Sequence, residues 1–139
     1  MNLQSTDPEY TQRLGAFLEE VRSEPDSMLE PTTRWLAILA TLTGNGSVDA
    51  YKEALPQALQ EALDPVAVKE MVYQATDYLG YGRALPFLHA TNDALTAAGI
   101  ALPLPGQATT TMNDRLEKGI AAQVKIFGDH MNAAWKAGT

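Results

Sequence analysis

The stretch that decides the fold class runs from residue 64 to residue 82 and reads DPVAVKEMVYQATDYLGYG. It opens with Asp64 and Pro65, an N-cap residue followed by a proline that suits the first turn of a helix. Apolar residues then recur at spacings of three and four, the period of one helical face. These residues are Val68, Met71, Val72, Ala75 and Leu79. Gly80-Tyr81-Gly82 ends the pattern, so the stretch predicts an amphipathic helix followed by a tight break.

The same period continues on both sides of this stretch. It predicts helices over about 8–21, 31–43, 48–62, 65–79, 83–98, 113–127 and 130–135. Pro56 lies inside the third of these and should kink or interrupt it, because proline removes a helical hydrogen bond. No segment alternates with period two for long enough to indicate a strand. The sequence therefore predicts an all-α protein of about six to seven helices.

A segment rich in proline, glycine and threonine divides the chain between residues 100 and 111. It contains Pro103, Pro105 and Gly106, followed by three consecutive threonines. Such a composition disfavours a long helix and is typical of a linker. We predict a helical core over 1–99, a linker over 100–111 and a C-terminal helical arm over 112–139.

Composition and charge limit the classes of partner. The chain has 139 residues, 45% of them apolar and 19% charged, which fits one globular domain. Its 10 Lys and Arg against 17 Asp and Glu give a net charge of -7, and such a surface repels nucleic acid. No apolar run approaches the roughly 18–20 residues of a membrane helix, and the first residues do not resemble a signal peptide. The sequence predicts a cytoplasmic protein without nucleic-acid or membrane partners.

The absence of cysteine excludes several kinds of chemistry. It removes disulfides, thiolate nucleophiles, Cys-ligated zinc and iron–sulfur clusters. The two histidines, His89 and His130, lie on opposite sides of the linker, so a His-rich metal site within one chain is not expected. No glycine-rich nucleotide loop is present. We therefore expect no cofactor and no metal.

Three segments carry a resemblance to a known family. They read TRWLAILATL at 33–42, ALDPVAVKE at 62–70 and YLGYGRAL at 78–85. In this order they resemble a Thr-Arg-x-Leu helix, a turn into a glutamate-bearing helix, and a Tyr-x-Gly-aromatic-Pro-x-Ala signature, in which Gly82 stands at the place of the proline. Together they are similar to the carboxymuconolactone decarboxylase family of the alkylhydroperoxidase D-like superfamily. The resemblance covers roughly residues 27–99 and implies an alkylhydroperoxidase D-like helical domain that assembles as a homotrimer or homohexamer.

The C-terminal arm carries a second resemblance. Residues 113–130 read NDRLEKGIAAQVKIFGDH, and they look like the segment that begins small decarboxylases of this family. Here the segment follows the core instead of preceding it. Either the order of elements is permuted, which we slightly favour, or the chain is the first half of a two-domain protein. In both cases the helix would cover a groove of a core, in this subunit or a neighbouring one.

The departures from the family narrow the expected chemistry. The Cys-x-x-Cys pair of the peroxidase branch falls at Gly82 and Leu85, so the chain is not expected to be a thiol peroxidase. The relay glutamate and histidine of that branch correspond to Glu70 and His89. The histidine of the decarboxylase branch falls near Ala54. Neither branch is complete in this chain.

Glu70 and His89 are the candidate catalytic residues. Glu70 lies about ten residues before the glycine break and His89 about seven after it, so an antiparallel hairpin would bring them to similar depth. A carboxylate beside an imidazole forms a proton-transfer pair. The alternatives are a solvated helix face for Glu70 and, for His89, a core residue that bonds a backbone carbonyl.

Four further residues are candidates for substrate binding. Arg34 lies in an apolar helix, where it would either pair with an acid of the 65–79 helix or bind an anionic substrate. Arg83 would contact a substrate carboxylate or stay exposed. Tyr78 flanks the face of Glu70, and Tyr81 lies within the glycine break, so each is a candidate to line a pocket.

The resemblance implies a cofactor-free lyase that acts on a small anionic carbonyl or lactone compound. Arg34 or Arg83 would anchor the anion. Glu70 with His89 would protonate the carbanion or enolate that remains after carbon dioxide leaves. The alternative is a non-catalytic oligomeric scaffold or small-ligand-binding protein that keeps the fold, which the missing cysteines and the missing histidine near Ala54 favour.

Overall fold

Helices supply all the regular structure in residues 3–23 and 29–138, the part of the chain that the computed structural model describes. These residues form eight helices and no strand, which confirms the all-α prediction. The helices are α1 (Leu3–Thr6), α2 (Pro8–Ser23), α3 (Pro31–Gly44), α4 (Val48–Glu61), α5 (Pro65–Leu79), α6 (Tyr81–Ala97), α7 (Arg115–Phe127) and α8 (His130–Ala137). None of these eight has the length and apolar content needed to cross a bilayer.

The chain divides into two units after Pro103, with α1 to α6 in the first and α7 and α8 in the second. Residues 100–111, predicted as the linker, form neither helix nor strand. Within the second unit, the indole N–H of Trp135 donates to Gln123 Oε1 at 2.8 Å and joins the two helices. The Lys118 ammonium, 2.7 Å from Asp114, lowers the pKa of that carboxyl below its usual value.

Local sequence signals account for the start of α5 but not for the continuity of α4. The Asp64 side chain accepts the N–H of Val66 at 2.7 Å, as expected of an N-cap. Pro56 does not interrupt α4, which runs unbroken from Val48 to Glu61. The helix buries Tyr51 and Leu55 completely, and this burial offsets the hydrogen bond that Pro56 removes.

The core lies among α3, α4, α5 and α6. Its buried members are Trp35, Leu39, Tyr51, Leu55, Ala58, Leu63, Val68, Val72, Phe87 and Ala90. The Tyr51 and Phe87 rings meet edge to face, with centroids 5.2 Å apart and planes at 86°. Such aromatic pairs add to the stability that area burial alone gives, so this contact fixes α4 against α6.

A buried hydroxyl pair adds a polar link between the same two helices. Thr91 Oγ1 donates to the carbonyl oxygen of Phe87 at 2.8 Å, which uses its single hydrogen. The Tyr51 hydroxyl, 2.8 Å from Thr91 Oγ1, is therefore the donor in the second bond. Burial raises the pKa of Tyr51 above its usual value of 10.0, and the bond to Thr91 opposes that shift.

Replacing Thr91 with valine should lower the free energy of unfolding by about 1–3 kcal/mol, because the Tyr51 hydroxyl is then buried without an acceptor. Tyr51→Phe should cost about 0.5–1.5 kcal/mol, since Thr91 keeps its bond to Phe87. The double variant should lose less than the sum of the two. Urea denaturation of the four proteins measures this coupling. Strictly additive losses would show that the hydroxyl pair does not form.

Candidate functional site

An apolar groove of about 650 Å³ lies between α3 and α5. Its lining residues are Thr33, Leu36, Ala37, Ala40, Gly44, Ala67, Glu70, Met71, Gln74, Ala75, Tyr78 and Leu79. Small-molecule sites in proteins have volumes of roughly 300–1,000 Å³ and carry a few polar groups on a mainly apolar wall. The groove matches both features, so it is the candidate site.

Small side chains and a parallel pair of helices create this groove. The Thr32 hydroxyl donates to the carbonyl oxygen of Ala62 at 3.4 Å, where α3 and α5 begin. The Arg83 guanidinium donates to the carbonyl oxygen of Gly44 at 3.4 Å, where both helices have ended. The helices therefore run in the same direction. From Thr33 to Gly44 the groove is about 16 Å long, at 1.5 Å of rise per residue.

Three polar side chains of α5 line the groove in a row. Glu70, Gln74 and Tyr78 are spaced four residues apart, which places them on one face of the helix. Glu70 is half-buried, whereas Gln74 is exposed and Tyr78 is 89% exposed. Glu70 is therefore the most enclosed of the three, and its carboxyl can exchange a proton with a molecule bound in the groove.

Arg83 lies at one end of the same groove. Its guanidinium contacts Gly44, which is a lining residue, while the side chain stays exposed. The structure thus brings together three of the predicted site residues: Glu70 and Tyr78 along the groove and Arg83 at the end where α3 and α5 finish.

Arg34 has a different position. It is half-buried in α3 and is not among the residues that line the groove. No carboxylate of the described residues lies within ion-pairing distance of its guanidinium. The predicted ion pair with an acid of α5 is therefore wrong, because neither Glu70 nor Asp77 approaches it.

His89 does not reach the groove that Glu70 lines. It is exposed on α6, so the alternative prediction of a buried core histidine is wrong. The face of α5 that meets α6 is that of Lys69, whose ammonium donates to Asn92 Oδ1 at 2.6 Å. Successive helical residues point about 100° apart, so Glu70 is turned away from this seam and toward α3.

Tyr81 lines a second, smaller cavity of about 290 Å³ between α5 and α6, together with Tyr73 and Asp77. Tyr78 and Tyr81 therefore do not share a cavity. His130 is exposed in α8.

Lys69 is the polar residue that the sequence reasoning missed. It is only 9% exposed, and its ammonium also lies 5.3 Å from the centroid of the Tyr73 ring. The signal was present, since Lys69 precedes Val72 and Thr76 at spacings of three and seven on the buried side of α5. A lysine in that register has to find partners for its charge inside the protein.

Within residues 3–23 and 29–138, no three His, Asp or Glu side chains gather in a group that could hold a metal ion. Comparisons of the chain with protein-family models, with curated proteins and with solved structures find no match.

Proposed function

We propose that the chain is a carboxymuconolactone decarboxylase-like protein and acts as a cofactor-free lyase in the α3–α5 groove. Its substrate would be a small anionic carbonyl or lactone compound. The observation that supports this proposal is the position of Glu70, a half-buried carboxyl in an otherwise largely apolar groove of ligand size. The guanidinium of Arg83 at the end of the groove supplies a counter-charge for an anionic substrate.

Glu70 and Arg83 would have different roles in the reaction. When carbon dioxide leaves, the electron pair of the broken C–C bond passes to the neighbouring carbon and is delocalised into the carbonyl as an enolate. The carboxyl group of Glu70 relays a proton from solvent to that carbon. Arg83 only anchors the substrate, since a guanidinium does not release its proton. The substrate's own carbonyl accepts the electrons, so no cofactor is needed.

Glu70→Gln should reduce turnover about 100-fold or more, which is the usual contribution of a positioned acid or base. Glutamine keeps the size and polarity of the side chain, so the stability should change little. The assay is carbon dioxide release from 4-carboxymuconolactone. Asp77→Asn is the matched control, because it neutralises an exposed carboxyl of the same helix outside the groove.

The same assay distinguishes a reaction that uses Glu70 without His89 from one that uses the predicted Glu70–His89 pair. His89→Ala should leave turnover within a factor of about two, because His89 lies outside the groove. Full activity in Glu70→Gln would contradict the role of Glu70. Loss of activity in both variants would instead favour the Glu70–His89 pair.

A second candidate function is small-ligand binding without catalysis. The lining of the groove is mainly aliphatic and lacks His89, which favours this candidate. Ligand-induced NMR shifts at Ala37, Met71 and Ala75, without release of carbon dioxide, would support binding alone.

We also propose that the chain assembles as a homotrimer or homohexamer. The apolar side chains of α2 support self-association, because they are between 41% and 63% exposed. We expect light scattering at micromolar concentration to give three or six times the 15.0 kDa of one chain. A monomer under these conditions would contradict the proposal.

A further inference from the structure

The described residues of its own unit leave the apolar stripe of α2 exposed. The stripe consists of Tyr10, Leu14, Phe17, Leu18 and Val21. Two of these, Tyr10 and Leu14, line a cleft beside α4, and the α4 wall of that cleft is charged. It presents Asp49, Lys52 and Glu53. A charged wall gives little stabilisation to large apolar side chains, so the stripe remains available to another surface.

The α3–α5 groove has the shape that such a helix needs. Ala37 and Ala40 in its lining are small and exposed, which lets a helix approach closely. The stripe from Tyr10 to Val21 is about 16 Å long, and the groove from Thr33 to Gly44 has the same length. Amphipathic helices commonly bind in apolar grooves of this kind.

The charged side chains of α2 and of the groove are complementary in only one of the two directions in which α2 could lie along α5. Arg13 flanks the stripe near its N-terminal end, three residues after Tyr10. In the groove, Glu70 is about 13 Å from the level of Leu79, near which Arg83 lies. A helix parallel to α5 therefore brings Arg13 to Glu70, whereas an antiparallel helix would bring Arg13 toward Arg83. The exposed Arg13–Glu9 pair, at 2.8 Å, is weak enough to be exchanged.

We propose that α2 of a second copy lies along the α3–α5 groove, parallel to α5, and closes it. Each copy gives its α2 to one neighbour and receives α2 from another, so the contact is head-to-tail and can close as a ring. One part of this inference rests on the proposed function: the partner helix forms the missing wall of the site and brings Arg13 beside Glu70. The contact itself requires no catalysis.

Two single substitutions test the two surfaces separately. Leu14→Asp places a charge in the stripe, and Ala40→Trp fills the groove from an exposed position. Each should weaken assembly about 30-fold or more, as expected for residues at the centre of an interface. Gln12→Asp, on the opposite side of α2, is the matched control and should assemble normally. Light scattering without substrate is the measurement, so the result is independent of the proposed reaction.

A mixture of the two variants gives the decisive result. Leu14→Asp keeps an intact groove and Ala40→Trp keeps an intact α2, so together they should form a heterodimer with one working contact and no larger ring. In the charge test, Arg13→Glu should weaken assembly and Glu70→Arg in the same chain should restore it. Circular dichroism confirms that each variant is folded.

Several results would overturn this proposal. Normal assembly of Leu14→Asp would exclude α2 as the donated helix. Loss of assembly in Leu116→Asp but not in Leu14→Asp would assign the contact to α7. Failure of the mixed variants to form a heterodimer, while each is folded and monomeric, would exclude a head-to-tail contact.

Discussion

Phe87→Ala is expected to lower the free energy of unfolding by about 3–5 kcal/mol, through lost burial and the cavity that remains. Phe87 is 1% exposed, and its ring contacts the buried ring of Tyr51. The cavity would lie between α4 and α6, where neither helix can close it without moving the Tyr51–Thr91 hydrogen bond. Urea denaturation at a fixed protein concentration measures the loss.

Tyr78→Ala is the matched control for this loss. It removes an aromatic ring of similar size from a position that is 89% exposed, so stability should change by no more than about 0.5 kcal/mol. Equal effects of the two substitutions would contradict the packing between α4 and α6 described above.

Asn92→Leu should lower the free energy of unfolding by about 1.5–3 kcal/mol, the value of a hydrogen bond to a charged group. The substitution removes the Oδ1 that accepts from the Lys69 ammonium at 2.6 Å. Among the described residues, the ammonium would keep only its contact with the Tyr73 ring, at a site that is 9% exposed. Thermal or urea denaturation at neutral pH measures the change.

Removing the charge together with its partner should restore stability. The Lys69→Met/Asn92→Leu double variant should be more stable than Asn92→Leu, because no ammonium is then left to desolvate. Lys52→Met, on the exposed surface of α4, controls for the loss of a lysine. If Asn92→Leu is harmless while Lys69→Met is costly, the amide does not hold the ammonium as the structure indicates.

The sequence predicts the helices well because their signals are local. The spacing of Val68, Val72 and Leu79 and the cap at Asp64 belong to one helix and need no knowledge of its neighbours. Pro56 shows the limit of local rules. Its effect on the backbone is local, but the burial of Tyr51 and Leu55 that outweighs it depends on where α3 and α6 lie.

The candidate site is predicted only in part, for the same physical reason. The spacing along α5 predicts that Tyr78 flanks the face of Glu70, and in the structure both residues line the groove. It does not say which helix that face meets. The hairpin at Gly80 suggested α6 and therefore His89 as the partner, whereas the structure places Lys69 at that seam and Glu70 beside α3.

The two faces of α5 have a consequence for how such a protein diversifies over evolution. Val68 and Val72 are buried and hold the helix in the core, whereas Glu70, Gln74 and Tyr78 line the groove from half-buried or exposed positions. Substitutions of exposed residues usually change stability by less than about 0.5 kcal/mol. Mutation can therefore alter what the groove accepts while selection on the fold acts on different residues of the same helix.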